Sequence, residues 1–591
     1  MNTICSRYVC VDSESFFDLF PFESLPPLRI CKQSFSVVIS SDLEAPPRSR
    51  GIEIFALLGV VRLNSFSFVV AVSEANVVFN LASHEVWRID SIKVFPLNPC
   101  TSSLFNESLH LVNLAFSEKG LYYSPSFSLS LPISSLIQPP QINSRTPWDI
   151  IEENYIFNLR SSQTLFSLSK SPSSLHSYVM PITQGYFNMV HNVLVKGHES
   201  VDFFLCSRRD VSNIGKRFTR RGLDPNISTV PANSVVTEQG LITSSGQILV
   251  DFLIVRGSIP LLWSQDADLS PKPSIKLRNE QEFSNLEILN SHLSKLISEH
   301  NGDLILLNLL NSTGGEAELA NLYGKLCSEL NLPLTYIHFD FHSECAKMKY
   351  EKLSELILSL SSNLERMKWN TTNQRQSGVI RVNCIDCLDR TNVVQSLICR
   401  YTLHQQLLSL GLFSLPKDLP IPPSLAPIDL MTQGCCPFDS KLEAGFRLCW
   451  SEHGDMLAQQ YCGTNAMKRD FLRFGRRTLF GNFEDFICGV VRFILNNFKH
   501  GLIQDALDLV IRSSDGNYAG KNGKRRDQSR VASQIRLFLI GLFALFAFIK
   551  KPKVSFQIFG FALFALFLFL KFSPKKLKNK FVVKPIVTKF D

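Results

Sequence analysis

Between residues 300 and 410 the chain alternates three times between a short apolar run and a longer helical pattern, and no other stretch limits the fold as much. Residues 304–310, 335–341 and 379–382 read as strands, whereas 316–330, 347–369 and 392–410 repeat their apolar residues at helical spacing. Such alternation predicts an α/β domain with a largely parallel sheet. Ligands of these sheets bind beyond the carboxyl ends of the strands. The third strand runs into Cys384, so the loop after it is where chemistry is expected.

That loop reads Arg381-Val-Asn-Cys-Ile-Asp-Cys-Leu-Asp-Arg-Thr-Asn392, with Arg390 five residues beyond Cys384 and Thr391 next to it. In a strand–loop–helix turn, backbone N–H groups and the helix N-terminus converge on one point and favour an anion there. Arg390 suits a bidentate grip on two phosphoryl oxygens. The same positive surroundings should lower the Cys384 pKa, ~8.5 for an isolated thiol, so that the thiolate is available as a nucleophile. Attack in line with the leaving oxygen would give a phosphocysteine, later hydrolysed by water. Ile385, Cys387, Leu388, Thr391 and Asn392 complete the loop expected around the phosphoryl group. The leaving oxygen needs a proton. Asp389 and Asp386 both qualify as donor, and Asp389 is preferred as the neighbour of Arg390. This chemistry needs neither metal nor cofactor. Cys384 and Cys387 also have the spacing of half a zinc site or of a redox pair, but no second such pair follows, and Cys435 and Cys436 are adjacent.

The 591 residues can hold two or three domains. Residues 1–145 look β-rich, with Val, Ile and Phe runs at 35–40, 52–63 and 66–72. The serine-rich stretch 161–177 reads as a loop. Fifteen cysteines lack a framework spacing and the chain starts without a signal-peptide pattern, which suits reduced thiols in the cytosol. Residues 208–221 hold six Lys or Arg against one Asp, either a solvated face or a surface for an anionic partner. Arg208 and Lys216 are its candidates for contact with an anionic substrate. Residues 412–427 are Pro-rich and read as a connector.

The formal charge of +9 is unevenly placed: residues 516–591 carry sixteen Lys or Arg and two Asp, leaving the rest net acidic. A basic tail of this kind suits an anionic membrane surface better than nucleic acid. Two apolar runs, 537–549 and 554–570, flank the short basic turn 550–553. At ~1.5 Å per residue they reach only ~20 Å and ~25 Å, or ~28 Å if the first begins at 531. That fits the ~27 Å membrane of the endoplasmic reticulum better than a thicker one. The expectation is a transmembrane helical hairpin with both basic flanks in the cytosol. The resulting division is 1–145, 146–511, a basic linker 512–534, an anchor 535–570 and a basic tail 571–591.

The loop closely resembles the signature of the Sac-domain phosphoinositide phosphatases. Further stretches resemble that family too: Pro181-Ile-Thr-Gln-Gly185, Arg220-Arg-Gly222, Val255-Arg-Gly-Ser-Ile-Pro260, Asn308-Leu-Leu-Asn311, His338-Phe-Asp-Phe-His342 and Gln460-Tyr-Cys-Gly-Thr464. The resemblance implies a β-rich N-terminal Sac subdomain on an α/β cysteine-phosphatase subdomain. It also implies removal of a monoester phosphate from an inositol lipid, phosphatidylinositol 4-phosphate first, with Cys384 as nucleophile and Arg390 as clamp. The paired apolar runs resemble the branch resident in endoplasmic reticulum and Golgi membranes. A protein tyrosine phosphatase and a non-enzymatic inositide-binding tether are the competing readings.

Overall fold

The computed structural model describes residues 4–43, 51–137, 146–270, 272–278, 284–346, 352–412, 440–475 and 477–512. A small antiparallel sheet comes first, ordered Val37–Ile39, Leu28–Cys31, Phe16–Pro21, Tyr8–Asp12 and Ile52–Ile54. The second sheet has eleven strands and runs through both halves of the protein. Leu334–His338, Leu304–Asn308, Val379–Asn383 and Ile248–Arg256 form its parallel end. Val235–Thr243, Glu199–Arg209, Thr183–Lys196, Leu121–Tyr123, His84–Pro96, Phe66–Leu81 and Ala56–Leu63 continue it antiparallel.

The expectation of a largely parallel sheet is therefore corrected: only the four strands at one end are parallel. The reason is local. Several antiparallel neighbours are joined by tight turns with left-handed residues, such as Asn64 (φ 55), Ala82 and Ser83 (φ 46 and 72) and Gly197 (φ 63), and turns of this kind reverse the chain. Crossover helices enter only from Asn285 onward. Asn285–His300 and Ala317–Glu329 cover one face of the parallel end, sharing a core with Val255, Leu306 and Val379. Lys352–Met367, Asp389–Ser409 and the helix from Ser440 to Cys462 cover the other, with Phe252, Leu307 and Val382. With both faces covered, every residue of Ile248–Arg256 is buried, and its near-continuous apolar run follows from that.

The N-terminal core gathers Ile4, Phe17, Leu57, Val112 and Met180, and it also takes in Ala506, Leu507 and Val510 from the far end of the described chain. The serine-rich stretch is not a simple loop: Leu159–Phe166 is an α-helix and Pro172–Ser177 a 3-10 helix. Its serines allow close packing. Ser161 and Ser162 donate to the Leu58 carbonyl at 3.0 and 3.3 Å. Gly59, at φ 119, sits where a Cβ would come within 2.3 Å of the Ser161 carbonyl oxygen.

The expected hairpin 535–570, tail 571–591, most of the linker and the Pro-rich connector lie outside the described residues. Among the described residues no helix is long and apolar enough to cross a membrane.

Candidate active site

The Val379–Asn383 strand lies parallel between Leu304–Asn308 and Ile248–Arg256, and Cys384 leaves its carboxyl end. The Asn383 amide anchors the exit by donating to the Gly257 carbonyl at 2.8 Å. Cys387 adopts a left-handed backbone (φ 52), a conformation rare for side chains other than Gly, Asn and Asp. That twist turns the Cys387 N–H onto the Cys384 sulfur at 2.9 Å, while the Cys387 thiol donates to the Gly257 carbonyl at 2.7 Å. Gly257 leaves no room for a side chain, since a Cβ there would meet Arg381 Nη2 at 2.7 Å.

Cys384 is buried. Burial alone raises a thiol pKa, but here it is outweighed by the Cys387 hydrogen bond, the Arg390 charge and the Thr391 hydroxyl, and the thiol is lowered to about 6. Burial pushes its neighbour Cys387 well up. The two cysteines thus differ in kind: one is held ready to ionise, the other is a neutral strut. Beneath them Arg256 is fully buried, and desolvation lowers it to about 10. It donates to Asn392 Oδ1 at 3.0 Å, and its charge faces both thiols.

The helix begins at Asp389, three residues before the expected start, so Asp389 and Arg390 lie in its first turn. Arg390 is within electrostatic reach of the Cys384 sulfur, but its hydrogen bonds go elsewhere. It donates to Glu316 at 2.8 and 3.1 Å, to Asn311 Oδ1 at 3.0 Å and to the Leu309 carbonyl at 3.0 Å. Asp389 pairs with Arg492 at 2.9 Å and accepts the Met467 N–H at 2.6 Å. Lys468, half-buried beside Asp389 and Arg390, is lowered by desolvation.

Asp386 is a correction to the proton-donor candidates. Although it is half-buried, Arg217 and Arg221 pair with it at 2.8 and 2.7 Å and hold it well below the usual carboxylate range. A carboxylate kept ionised by two guanidinium groups is a poor proton donor.

Residues 208–221 are also corrected. The cluster is neither a solvated face nor a free anion surface; Arg208, Arg209, Lys216, Arg220 and Arg221 are buried. Arg208 pairs with Glu238 at 2.5 Å and lines a cavity of about 650 Å³ with Tyr155 and His292, not the Cys384 loop. Lys216 is spent on Glu118 at 2.6 Å and the Gln460 carbonyl at 2.5 Å. The members of the cluster that do reach the loop are Arg217 and Arg221, the latter also donating to the Ile385 carbonyl at 2.8 Å. Within the loop, the Leu388 side chain is buried with Leu457 and Tyr461. The Asn392 amide is held by Arg256 and the Trp450 carbonyl. Those two side chains position the loop rather than face a ligand.

Glu316, Arg492, Lys468 and Arg256 are functional neighbours that a sequence reading missed. Arg256 falls inside one of the quoted family-like stretches and Asn311 inside another, so that signal was available. For Glu316, Arg492 and Lys468, fold alone brings them to the loop.

A buried thiol of lowered pKa in an anion-favouring turn, with the Arg390 and Arg256 charges beside it, suits the binding of an anionic ester. Such a site is what a phosphatase needs. Residues 55–346 match the SacI homology domain. The chain is 32% identical over 482 residues to phosphoinositide phosphatase SAC7 of Arabidopsis thaliana, covering 78% of this chain and 75% of that protein. It is 31% identical over 483 residues to SAC6 of the same plant, with coverage of 78% and 75%. It is 28% identical over 506 residues to phosphatidylinositol-3-phosphatase SAC1 of Saccharomyces cerevisiae, with coverage of 82% and 76%. The chain belongs to the Sac family of phosphoinositide phosphatases.

Proposed function

We propose that the protein removes a monoester phosphate from an inositol lipid, phosphatidylinositol 4-phosphate first, through a phosphocysteine on Cys384. The observation that carries this reading is the Cys384 sulfur at the carboxyl end of a parallel strand, accepting the Cys387 N–H at 2.9 Å just before a helix that starts at Asp389, with its thiol lowered to about 6. The thiolate attacks phosphorus, the bond from phosphorus to the inositol oxygen breaks, and the leaving oxygen takes a proton. Water then cleaves the sulfur–phosphorus bond and releases phosphate. Arg390 exchanges Glu316 for two phosphoryl oxygens as substrate enters. Asp389, the neighbour of Arg390 in the first turn of the helix, is the proposed proton donor. Thr391 and the backbone N–H groups of the loop complete the phosphate cradle.

The regiochemistry rests on the family resemblance, and the yeast relative is named for the 3-phosphate. The same resemblance, with the apolar runs 537–549 and 554–570, supports a multi-pass anchor in endoplasmic reticulum or Golgi membrane and a cytosolic catalytic body. A panel of the three inositol lipid monophosphates, the 3,5-bisphosphate and a phosphotyrosine peptide tests the reading. The 4-phosphate should turn over fastest, and Cys384→Ser should release no phosphate. Preference for the 3-phosphate would replace the proposed substrate, and preference for the peptide would favour the tyrosine phosphatase. Turnover surviving in Cys384→Ser would remove the mechanism.

A further inference from the structure

The helix Leu479–Phe498 is turned inside out relative to its sequence. Its buried residues are Gly481, Arg492, Asn496, Asn497 and Phe498. The inner side is polar: Arg492 meets Asp389, Thr464 and the Asn465 carbonyl, and Asp485 accepts from Arg477 and the Lys468 N–H. Gly481 lets this side close in, since a Cβ there would come within 2.1 Å of Asp470 Oδ2. Positions 479, 483, 486, 487, 490 and 494 recur at helical spacing on the opposite side, and all are apolar. Leu479 is 90% exposed, Phe480 70% and Phe486 52%, and Phe474 of the preceding helix adds 65%. A water-facing surface of this composition marks an interaction site.

We propose that this face is where the protein rests on an anionic lipid membrane, with its Phe and Leu side chains at the level of the headgroups. Three observations favour lipid over a protein partner. Lys499, just past the helix, is exposed, and farther along the chain residues 516–591 carry sixteen Lys or Arg against two Asp, whereas residues 1–515 as a whole are net acidic. An apolar face followed by a cationic segment suits an anionic lipid surface. The helix is tied through Arg492 to Asp389 in the first turn after the Cys384 loop, so whatever holds the face also holds the loop. Finally, the substrate class is itself a membrane lipid, and the inference rests on that reading. Docking here fixes the orientation of the loop toward the headgroups.

The test reconstitutes the full chain in vesicles of phosphatidylcholine and phosphatidylserine containing phosphatidylinositol 4-phosphate. Phe480→Trp reports contact through quenching by brominated phosphatidylcholine, and Val195→Trp, at an exposed apolar residue off this face, is the control. Quenching of the first and not of the second is expected. Turnover of the vesicle substrate by the double variant Leu479→Ser, Phe480→Ser should fall about ten-fold. Its turnover of a short-chain, water-soluble inositide should be unchanged, which separates lost docking from a damaged site. Equal quenching at both positions, or vesicle turnover that survives the double variant, overturns the proposal. So does Phe480→Trp emission that is already shifted to the blue without vesicles and does not respond to them, because the face would then be covered by protein. If the wild type hydrolyses neither form of the lipid, the substrate reading fails while the quenching still reads the docking face.

Discussion

Two helices of similar length meet at Asp389 and treat their apolar residues in opposite ways. Asp389–Ser409 buries Val393, Val394, Leu397, Ile398 and Leu407, and buries Gln395, Arg400, His404 and Gln406 as well. Leu479–Phe498 buries Arg492 and Asn496 and leaves Leu479, Phe480 and Phe486 in water. An apolar stripe shows that a helix has a face; it does not say which side the core lies on. In the second helix the buried ion pairs decide. Arg492 and Asp389 are both largely out of water and each leaves the other a costly unpaired charge if it moves. The network reached through Arg469, Arg477 and Asp470 adds further polar partners on the inner side. A polar inside therefore orients the helix and an apolar outside is the consequence.

The contrast can be broken most severely at the start of the first helix. Cys384→Ser removes the nucleophile with both helices in place, and phosphate release should fall by on the order of 10⁴-fold or more, with the thermal transition kept. Next is the pair that joins them. Arg492→Ala leaves Asp389 without its partner, and urea unfolding should register a loss of about 3–5 kcal/mol. Leu397→Ala, in the first helix, should cost about 2–5 kcal/mol through the cavity it opens, measured the same way. A smaller effect comes from pH. The Cys384 thiolate exists above its pKa of about 6, so kcat/KM should fall about ten-fold per unit as pH drops below that value. Arg390→Ala removes one stabilising charge and should move this limb to higher pH. Smallest of all, Phe480→Ser in the second helix should change unfolding stability by no more than about 0.5 kcal/mol, because the side chain is already exposed. A large loss there would mean that the two helices are alike after all.

Much of the parallel end was legible in advance. The runs at 304–310, 335–341 and 379–382 contain the strands Leu304–Asn308, Leu334–His338 and Val379–Asn383, the second giving way to a helix at Phe341, and the Cys384 loop sits at a strand's carboxyl end. Those elements are local: an apolar run of strand length between helical patterns signals itself. The antiparallel majority of the sheet was not, because pairing depends on which strands adjoin, as when Leu121–Tyr123 bridges to Thr183–Lys196 across sixty residues. Charge gave the least. Residues 208–221 announce six cations, but sequence cannot say that Arg217 and Arg221 turn to Asp386 while Arg208 turns to Glu238. Arg208 lies in the strand Glu199–Arg209 whereas Arg217 and Arg221 follow it outside any strand, and the partner of each comes from elsewhere in the chain.

The core that begins with Ile4 is closed by Ala506, Leu507 and Val510. On the ribosome, then, Ala56–Leu63, Ser103–Phe116 and Leu159–Phe166 must wait for residues 500–512 before their apolar side is sealed. Until residue 510 has emerged, Leu57 and Val112 lack part of their cover. A chain stopped short of that point would present an open apolar surface, whatever the state of its Cys384 loop. The body of the fold is thus closed by residues near 510, made well after the Cys384 loop.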